Sequence, residues 1–399
     1  MKSIRDIYKI GRGPSSSHTM GPQAAAMRFA REYPKAAKYK VILYGSLAKT
    51  GKGHMTDTAI LEILPTTKTE IVFCTDDIPL PHENTMDFFA YNIHGDELGH
   101  MRIMSIGGGD ILLDGETPDP KEELYAENTF TEIKEYCQKR NIRISDYVEE
   151  HEGESIWAYL SEVWEAMNHA IHKGLTTTGI LEGGLNLERT ASNIYNLRHI
   201  DETKPTRESR LVCAYAYAAS EENAGGGIIV TAPTCGASGV LPAVLKYKSE
   251  VLGCSEDDIL RALAVAGIIG SLVKQNASVS GAECGCQAEI GTACAMAAAG
   301  LAELLYMGTS QIEYAAEIAL EHHLGLTCDP VCGLVQIPCI ERNAVAAMRA
   351  INTVTLASFL TFTRKISFDA VVKTMYETGK DLHERYRETS EGGLAKLYK

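Results

Sequence analysis

The sequence predicts an α+β fold, with a mixed α/β domain over residues 1–150 followed by an all-helical domain over residues 151–399. Three observations carry this. At 399 residues the chain exceeds what one hydrophobic core usually fills, so two domains are expected. Short, β-rich, alternating runs bounded by glycine are confined to the first third. Long alanine-rich stretches with helical periodicity dominate the remainder.

Taken in order, residues 22–32 open at a proline and read as a short helix, because proline suits a first helical turn. Residues 39–44 alternate and end at Gly45, a strand, and 70–75 look similar. Two further β-rich runs, 88–94 and 101–106, joined by Gly95-Asp96-Glu97-Leu98-Gly99, predict a hairpin. Gly107-Gly108-Gly109 then breaks the pattern. From Pro120 the period turns helical, with amphipathic helices over 122–138 and 156–173. Residues 175–207 carry several glycines and no long period, and read as a connection. Beyond it, 211–220, 259–272, 292–305, 313–321 and 344–360 are rich in small residues at helical spacing. Such residues let helices pack closely, as in a bundle.

Composition narrows the function. The formal net charge of −14 opposes nonspecific binding to nucleic acid and to anionic membrane surfaces. The longest apolar run, 262–273, falls short of the ~20 residues that a bilayer span needs. The first residues lack the apolar stretch of a secretory signal, so the expectation is a cytoplasmic protein. Eleven cysteines are too few for a disulfide scaffold in so long a chain. Only Cys74 and Cys137 lie in the first half.

Three of the later cysteines stand in distinctive phrases: Gly285-Cys286-Gln287, Thr327-Cys328-Asp329-Pro330 and Pro338-Cys339-Ile340. They fall at or near glycine- and proline-rich joints, where backbone can turn around a bound group. Their spacing is not a short local ligand motif, and free cysteine also packs as a small hydrophobe. Far upstream, Gly13-Pro14-Ser15-Ser16-Ser17-His18-Thr19-Met20-Gly21-Pro22 sets four hydroxyls and an imidazole between two prolines. One hydroxyl suffices to cap a helix. Ser15, Ser16, Ser17 and Thr19 together exceed that need and look like a cradle for a carboxylate at a helix N-terminus. His54 lies in a glycine-rich loop with Asp57 three residues on, a carboxylate near enough in sequence to orient its ring. His82, in Leu80-Pro81-His82-Glu83-Asn84, is a further loop histidine.

These phrases resemble the iron–sulfur-dependent L-serine dehydratases, over nearly the whole chain. The resemblance runs through 13–22, Tyr44-Gly45-Ser46-Leu47, Thr50-Gly51-Lys52-Gly53-His54, 105–109, Glu221-Glu222-Asn223, 231–234, 276–281, 285–289 and 328–343. It ends in 374–380 and 386–390, all in one order. It implies an N-terminal domain similar to a regulatory, substrate-binding domain of some phosphoglycerate dehydrogenases, and a helical catalytic domain carrying a [4Fe-4S] cluster. By the family pattern Cys286, Cys328 and Cys339 are the ligands, and the serine-rich loop with His18 and His54 faces the cluster. Three thiolates leave one iron open as a Lewis acid for the serine β-hydroxyl. A histidine then removes the Cα proton: His54 first, with His18 positioning substrate and His82 a third candidate. Serine gives pyruvate and ammonia with no pyridoxal phosphate.

The resemblance further implies a small amino-acid substrate and a homodimer. Threonine or cysteine as substrate, and a non-catalytic iron–sulfur sensor, are the competing expectations. Some members close the open iron with a tail cysteine. The sequence given has no cysteine after Cys339, so such ligation is not expected of it. Cys235, Cys284 and Cys332, which stand beside the signature, are either a fourth ligand or lining.

Overall fold

The computed structural model describes residues 1–399 except 77, 117–122, 199–200, 361–363, 389–390 and 398–399, and the side chain of 397. It is α+β, as expected, and divides into two units: Gly11–Pro120, and Met1–Ile10 with Lys121–Lys399.

The first unit is a five-stranded sheet covered by a helix. Its strands are β1 (Lys38–Leu43), β2 (Thr69–Phe73), β3 (Thr85–Tyr91), β4 (Glu97–Gly107) and β5 (Asp110–Leu113), in the order β2-β1-β3-β4-β5. β1 alternates, burying Tyr39, Val41 and Leu43. It pairs parallel with β2, Val41 opposite Ile71, and antiparallel with β3, Val41 opposite Phe88. Parallel neighbours need a crossover, here made by two short helices, α2 (Gly45–Thr50) and α3 (Thr56–Leu61). Helix α1 (Gly21–Glu32) lays Ala25, Ala26 and Phe29 against Val41, Phe88 and Ile103.

The expected hairpin forms, but its turn is 92–96 rather than 95–99. The Asn92 side chain accepts from the backbone N–H of His94 and of Asp96, closing the turn early. Gly99 lies inside β4, where a Cβ would sit 2.2 Å from the Tyr33 hydroxyl. The three glycines 107–109 all adopt positive φ and reverse the chain into β5, which the sequence reading missed.

The second unit is helical: α4 (Phe130–Arg140), α5 (Ile144–Glu152), α6 (Ser155–Thr176), α7 (Ala191–Asn196), α8 (Lys204–Ala224), α9 (Val240–Leu252), α10 (Glu256–Asn276), α11 (Gly281–Cys284), α12 (Thr292–Leu304), α13 (Thr309–Glu321), α14 (Cys339–Leu360) and α15 (Phe368–Asp381). α12 is buried along its whole length and packs on α9, α10, α13 and α14. Small residues make this feasible: at Gly174 of α6 a Cβ would lie 2.0 Å from the Ala218 carbonyl oxygen of α8. α4 starts at Phe130 because Thr129 and Glu132 form a capping box; the expected start at 122 lies outside the described residues. Among the described residues, no helix is long and apolar enough to cross a membrane.

The expected boundary at 150 differs from this division in two ways. α4 and α5 belong to the helical unit, and so do the first ten residues. Met1, Ile4, Ile7 and Tyr8 are buried in the helical core, and the Tyr8 hydroxyl donates to the Leu263 carbonyl at 2.7 Å. Thr231 locks the segment: its hydroxyl donates to Ile7 O and accepts from Lys9 N. An Ile4→Ala change should therefore cost the helical unit about 2–5 kcal/mol, as for other buried aliphatic truncations. Urea unfolding followed by helical circular dichroism measures this; an unchanged midpoint would place residues 1–10 outside that core.

Candidate active site

In the α/β unit, Ser15 caps a single π-helical turn, Ser16–Met20, that runs directly into α1. Its hydroxyl accepts from the His18 N–H at 3.2 Å. Thr19 is fully buried, and its hydroxyl accepts from Ser15 N and donates to the His54 carbonyl at 2.7 Å. Thr56 donates from the α3 side to the His18 carbonyl. On β4, Ser105 donates to the Ser17 carbonyl at 2.7 Å, and a Cβ at Gly21 would lie 2.1 Å from its oxygen. Glycine at 21 is thus what allows α1 to start against the sheet.

The four hydroxyls are consequently not equivalent. Those of Ser15 and Thr19 shape the turn. Ser17 pairs with the His18 ring at 2.9 Å. Ser16 is half-buried and, among the described residues, its hydroxyl makes no internal hydrogen bond, so it is the one most open to a ligand.

His18 and His54 are both buried, with ring centroids 4.7 Å apart. His18 is held at both nitrogens, Nδ1 by Ser17 and Nε2 by Ser46 at 2.9 Å. His54 points Nδ1 at the Thr50 carbonyl oxygen, 3.1 Å away. A carbonyl can only accept, so Nδ1 carries the proton and Nε2 keeps the lone pair. Burial, and secondarily the neighbouring His54, push the His18 pKa well below the ordinary value. Burial lowers His54 to about 4 against the opposing pull of the Thr50 carbonyl. Both rings are neutral near pH 7, the form a base requires.

The expected role of Asp57 is not what the geometry gives: its carboxylate accepts from its own neighbour, Thr58 N. A backbone carbonyl one helical turn back orients His54 instead. His82 is half-buried and ties its own loop, its Nδ1 accepting from Asn84 N at 3.0 Å.

In the helical unit, Cys286 and Cys328 come together, with Cys339 close enough to feel the charge of Cys286. Cys286 follows α11 and Gly285, whose φ is +74 and where a Cβ would meet the Leu326 carbonyl at 2.8 Å. Glycine there lets the 286 loop approach the segment carrying Cys328. Buried Gln287 rivets the same junction, its Oε1 accepting from Gly325 N and its Nε2 donating to Cys284 O. Cys328 exchanges backbone bonds with the 386–388 segment, N to Tyr386 O and O from Glu388 N, both 2.8 Å. Cys339 is the first residue of α14. The ligand atoms of Cys286, Cys328 and Glu289 lie within 4.8 Å of one another. Cys339 is near enough for Cys286 and Glu289 to act on its charge.

Electrostatics mark this pocket. The Cys328 thiol is pushed well up by its hydrogen bond with Cys286 and by burial. Burial, then Cys286 and Glu289, does the same to Cys339. Burial raises Glu289, and burial with Glu289 raises Glu388 to about 8. The cation at hand is Arg342, whose guanidinium donates to Thr327 O at 2.7 Å and Asp329 Oδ1 at 2.9 Å and reaches the Cys286 sulfur. Soft thiols and carboxyls that resist ionising beside one another are a donor set that a bound metal group reverses. Three thiols with carboxylates fit an iron–sulfur cluster.

Sequence reading missed Glu289, Glu388, Arg342 and Asp329. Glu289 and Arg342 each stand three residues after a named cysteine, a helical-turn spacing that could have flagged them. Glu388 arrives through tertiary pairing alone. Of the extra cysteines, Cys235 is buried near Glu289, Cys284 packs under Gly379, and Cys332 is exposed.

Comparison with known proteins agrees in both units. Residues 83–395 match the family model of the serine dehydratase alpha chain, and residues 3–65 that of the beta chain. The chain is 41% identical to L-serine dehydratase 2 of Escherichia coli K12, covering 99% of this chain and 98% of the relative. It is 41% identical to L-serine dehydratase of Streptomyces coelicolor, with 98% of each covered. The L-serine dehydratase of Helicobacter pylori 26695 is 40% identical, over 100% and 99%.

The buried histidines set an acid limit on the α/β unit. Unfolded histidine binds a proton below about pH 6.5, whereas folded His54 resists until about 4. Stability is therefore present above about 6.5 and is lost as the pH falls toward 4, by ~3 kcal/mol for His54. Urea midpoints measured across that window should fall steeply in the parent protein and less steeply in His54→Gln.

Proposed function

The chain belongs to the serine dehydratase family of ammonia-lyases, with alpha- and beta-chain regions in one polypeptide, and we propose that it converts L-serine to pyruvate and ammonia. The observation that carries this reading is the convergence of Cys286 and Cys328, beside Cys339, in a pocket crowded with acidic groups. Those three cysteines would hold a [4Fe-4S] cluster. When bound, that group supplies a Lewis acid, which makes the poor β-hydroxyl leaving group competent without pyridoxal phosphate.

The other tasks fall to side chains. Ser16 and Ser17 donate to the substrate carboxylate, while Ser15 and Thr19 hold the turn in shape. His54, neutral and with its lone pair on Nε2, takes the Cα proton. His18, held between Ser17 and Ser46, positions the substrate against that base. Loss of the Cα proton and the β-hydroxyl gives 2-aminoacrylate, which tautomerises to an imine and hydrolyses. We take the working form to be a homodimer in the cytoplasm, following the family expectation.

Anaerobic assay of pyruvate release with iron analysis tests the reading. Cys286→Ala, Cys328→Ala and Cys339→Ala should each lose iron and activity together; full iron in any one overturns the ligand set. His54→Gln should keep its iron while kcat falls by ~10²–10⁴, the usual worth of general base catalysis. Ser16→Ala should raise KM roughly tenfold to a hundredfold, the value of a hydrogen bond to a charged group. Turnover of L-threonine or L-cysteine in preference to L-serine would reassign the substrate.

A further inference from the structure

Glu289 is the carboxylate drawn into the thiol pocket that the proposed reaction leaves without a task. We propose that it is a fourth protein ligand of the cluster in the substrate-free enzyme, bound through its carboxylate to the iron that the three cysteines leave open. The inference rests on the reading above.

Four observations carry it. The Glu289 carboxylate oxygen and the sulfurs of Cys286 and Cys328 lie mutually within 4.8 Å, with Oε2 4.0 Å from the Cys328 sulfur. Cys286 caps one turn of π-helix, Gln287–Gly291, and Glu289 lies within it, so a single local turn carries both groups to the same place. The surrounding chain keeps side chains away from the carboxylate. A Cβ at Gly281 would lie 2.5 Å from Oε2 and 3.1 Å from the Cys328 sulfur, and one at Gly236 would lie 3.5 Å from Oε1. Last, among the described residues Glu289 forms no ion pair. Arg342, the guanidinium that acts on it electrostatically, is paired with Asp329. A carboxylate aimed at thiolates, without a cation of its own, is placed to share theirs. Carboxylate oxygen is an ordinary iron ligand beside softer donors.

Glu388 is the rival carboxylate. Its backbone N–H is tied to the Cys328 carbonyl and its carboxylate accepts from the Ala282 backbone, whereas the carboxylate whose oxygen lies within 4.8 Å of both the Cys286 and Cys328 sulfurs is that of Glu289.

The deciding measurement is carbon-13 electron–nuclear double resonance. The holoenzyme, produced in a glutamate auxotroph fed carbon-13 glutamate, is studied without substrate after reduction to the paramagnetic cluster. A carbon-13 coupling is expected in the parent and in Glu388→Gln, and its loss in Glu289→Gln of equal iron and sulfide content. No coupling in the parent enzyme, or a coupling that survives Glu289→Gln, overturns the assignment. The parent spectrum decides even if Glu289→Gln fails to assemble. A protein that takes up no iron under reconstitution overturns the reading beneath it as well; an iron-replete cluster without the coupling overturns the glutamate ligand alone.

Discussion

The helical unit is organised around a confined set of acidic groups that oppose each other's ionisation. Cys328, Cys339, Glu289 and Glu388 are all held toward their protonated forms by burial and by one another. Burying such groups unpaired costs several kcal/mol each, so the pocket makes physical sense as the receptor of a cationic centre. The rest of the architecture serves it. Gly285 and Gly281 clear the approach of the segments carrying Cys286 and Cys328, Gln287 rivets the junction, and Arg342 is fixed by Asp329 and the Thr327 carbonyl. The alanine-rich helices around α12 supply a frame with little freedom to shift, because interiors packed backbone against backbone transmit displacement rather than absorb it.

The α/β unit solves the opposite problem. It keeps two imidazoles out of water and neutral, and fixes the tautomer of one with a backbone carbonyl that neither titrates nor rotates. A carboxylate partner, as the sequence suggested for Asp57, would have raised the ring's pKa and charged it near neutrality. The Thr50 carbonyl orients the ring with much less of that pull, which suits a base better than a cationic anchor. The sheet contributes through Ser105, and Thr19 and Thr56 brace the backbone beneath both histidines.

Sequence reading reached the α+β class because each half carries its own period, two in the strands and helical in the bundle. It placed the hairpin turn late, because Gly95 and Gly99 look alike in sequence. What separates them is the Tyr33 ring lying over Gly99, a contact with no local signature. The boundary at 150 missed the return of residues 1–10 into the helical core for the same reason: Tyr8 bonding Leu263 is a tertiary fact. At the site, local phrases carried the cysteines, the hydroxyl run and both buried histidines. They did not carry the inequality of the hydroxyls, since four adjacent oxygens differ only once the turn decides which face inward. Nor did they carry Glu388, whose arrival beside Cys328 depends on pairing between distant segments.

The two units respond to acid in the same direction by different routes. Protonating His18 and His54 works against the folded α/β unit, because their charged forms are poorly solvated where they sit. In the helical unit, protons compete with a metal centre for the same sulfur and carboxylate atoms, since a ligand must shed its proton to bind. A metal group entering the thiol pocket must therefore release protons, and lower pH weakens its hold. Neither effect is set by a single exposed residue that substitution could tune in isolation. Burial imposes both, and burial is also what makes a neutral imidazole a usable base and a thiol pocket a receptor for positive charge. In each unit, acid sensitivity is thus built into the packing that creates its own cluster of side chains.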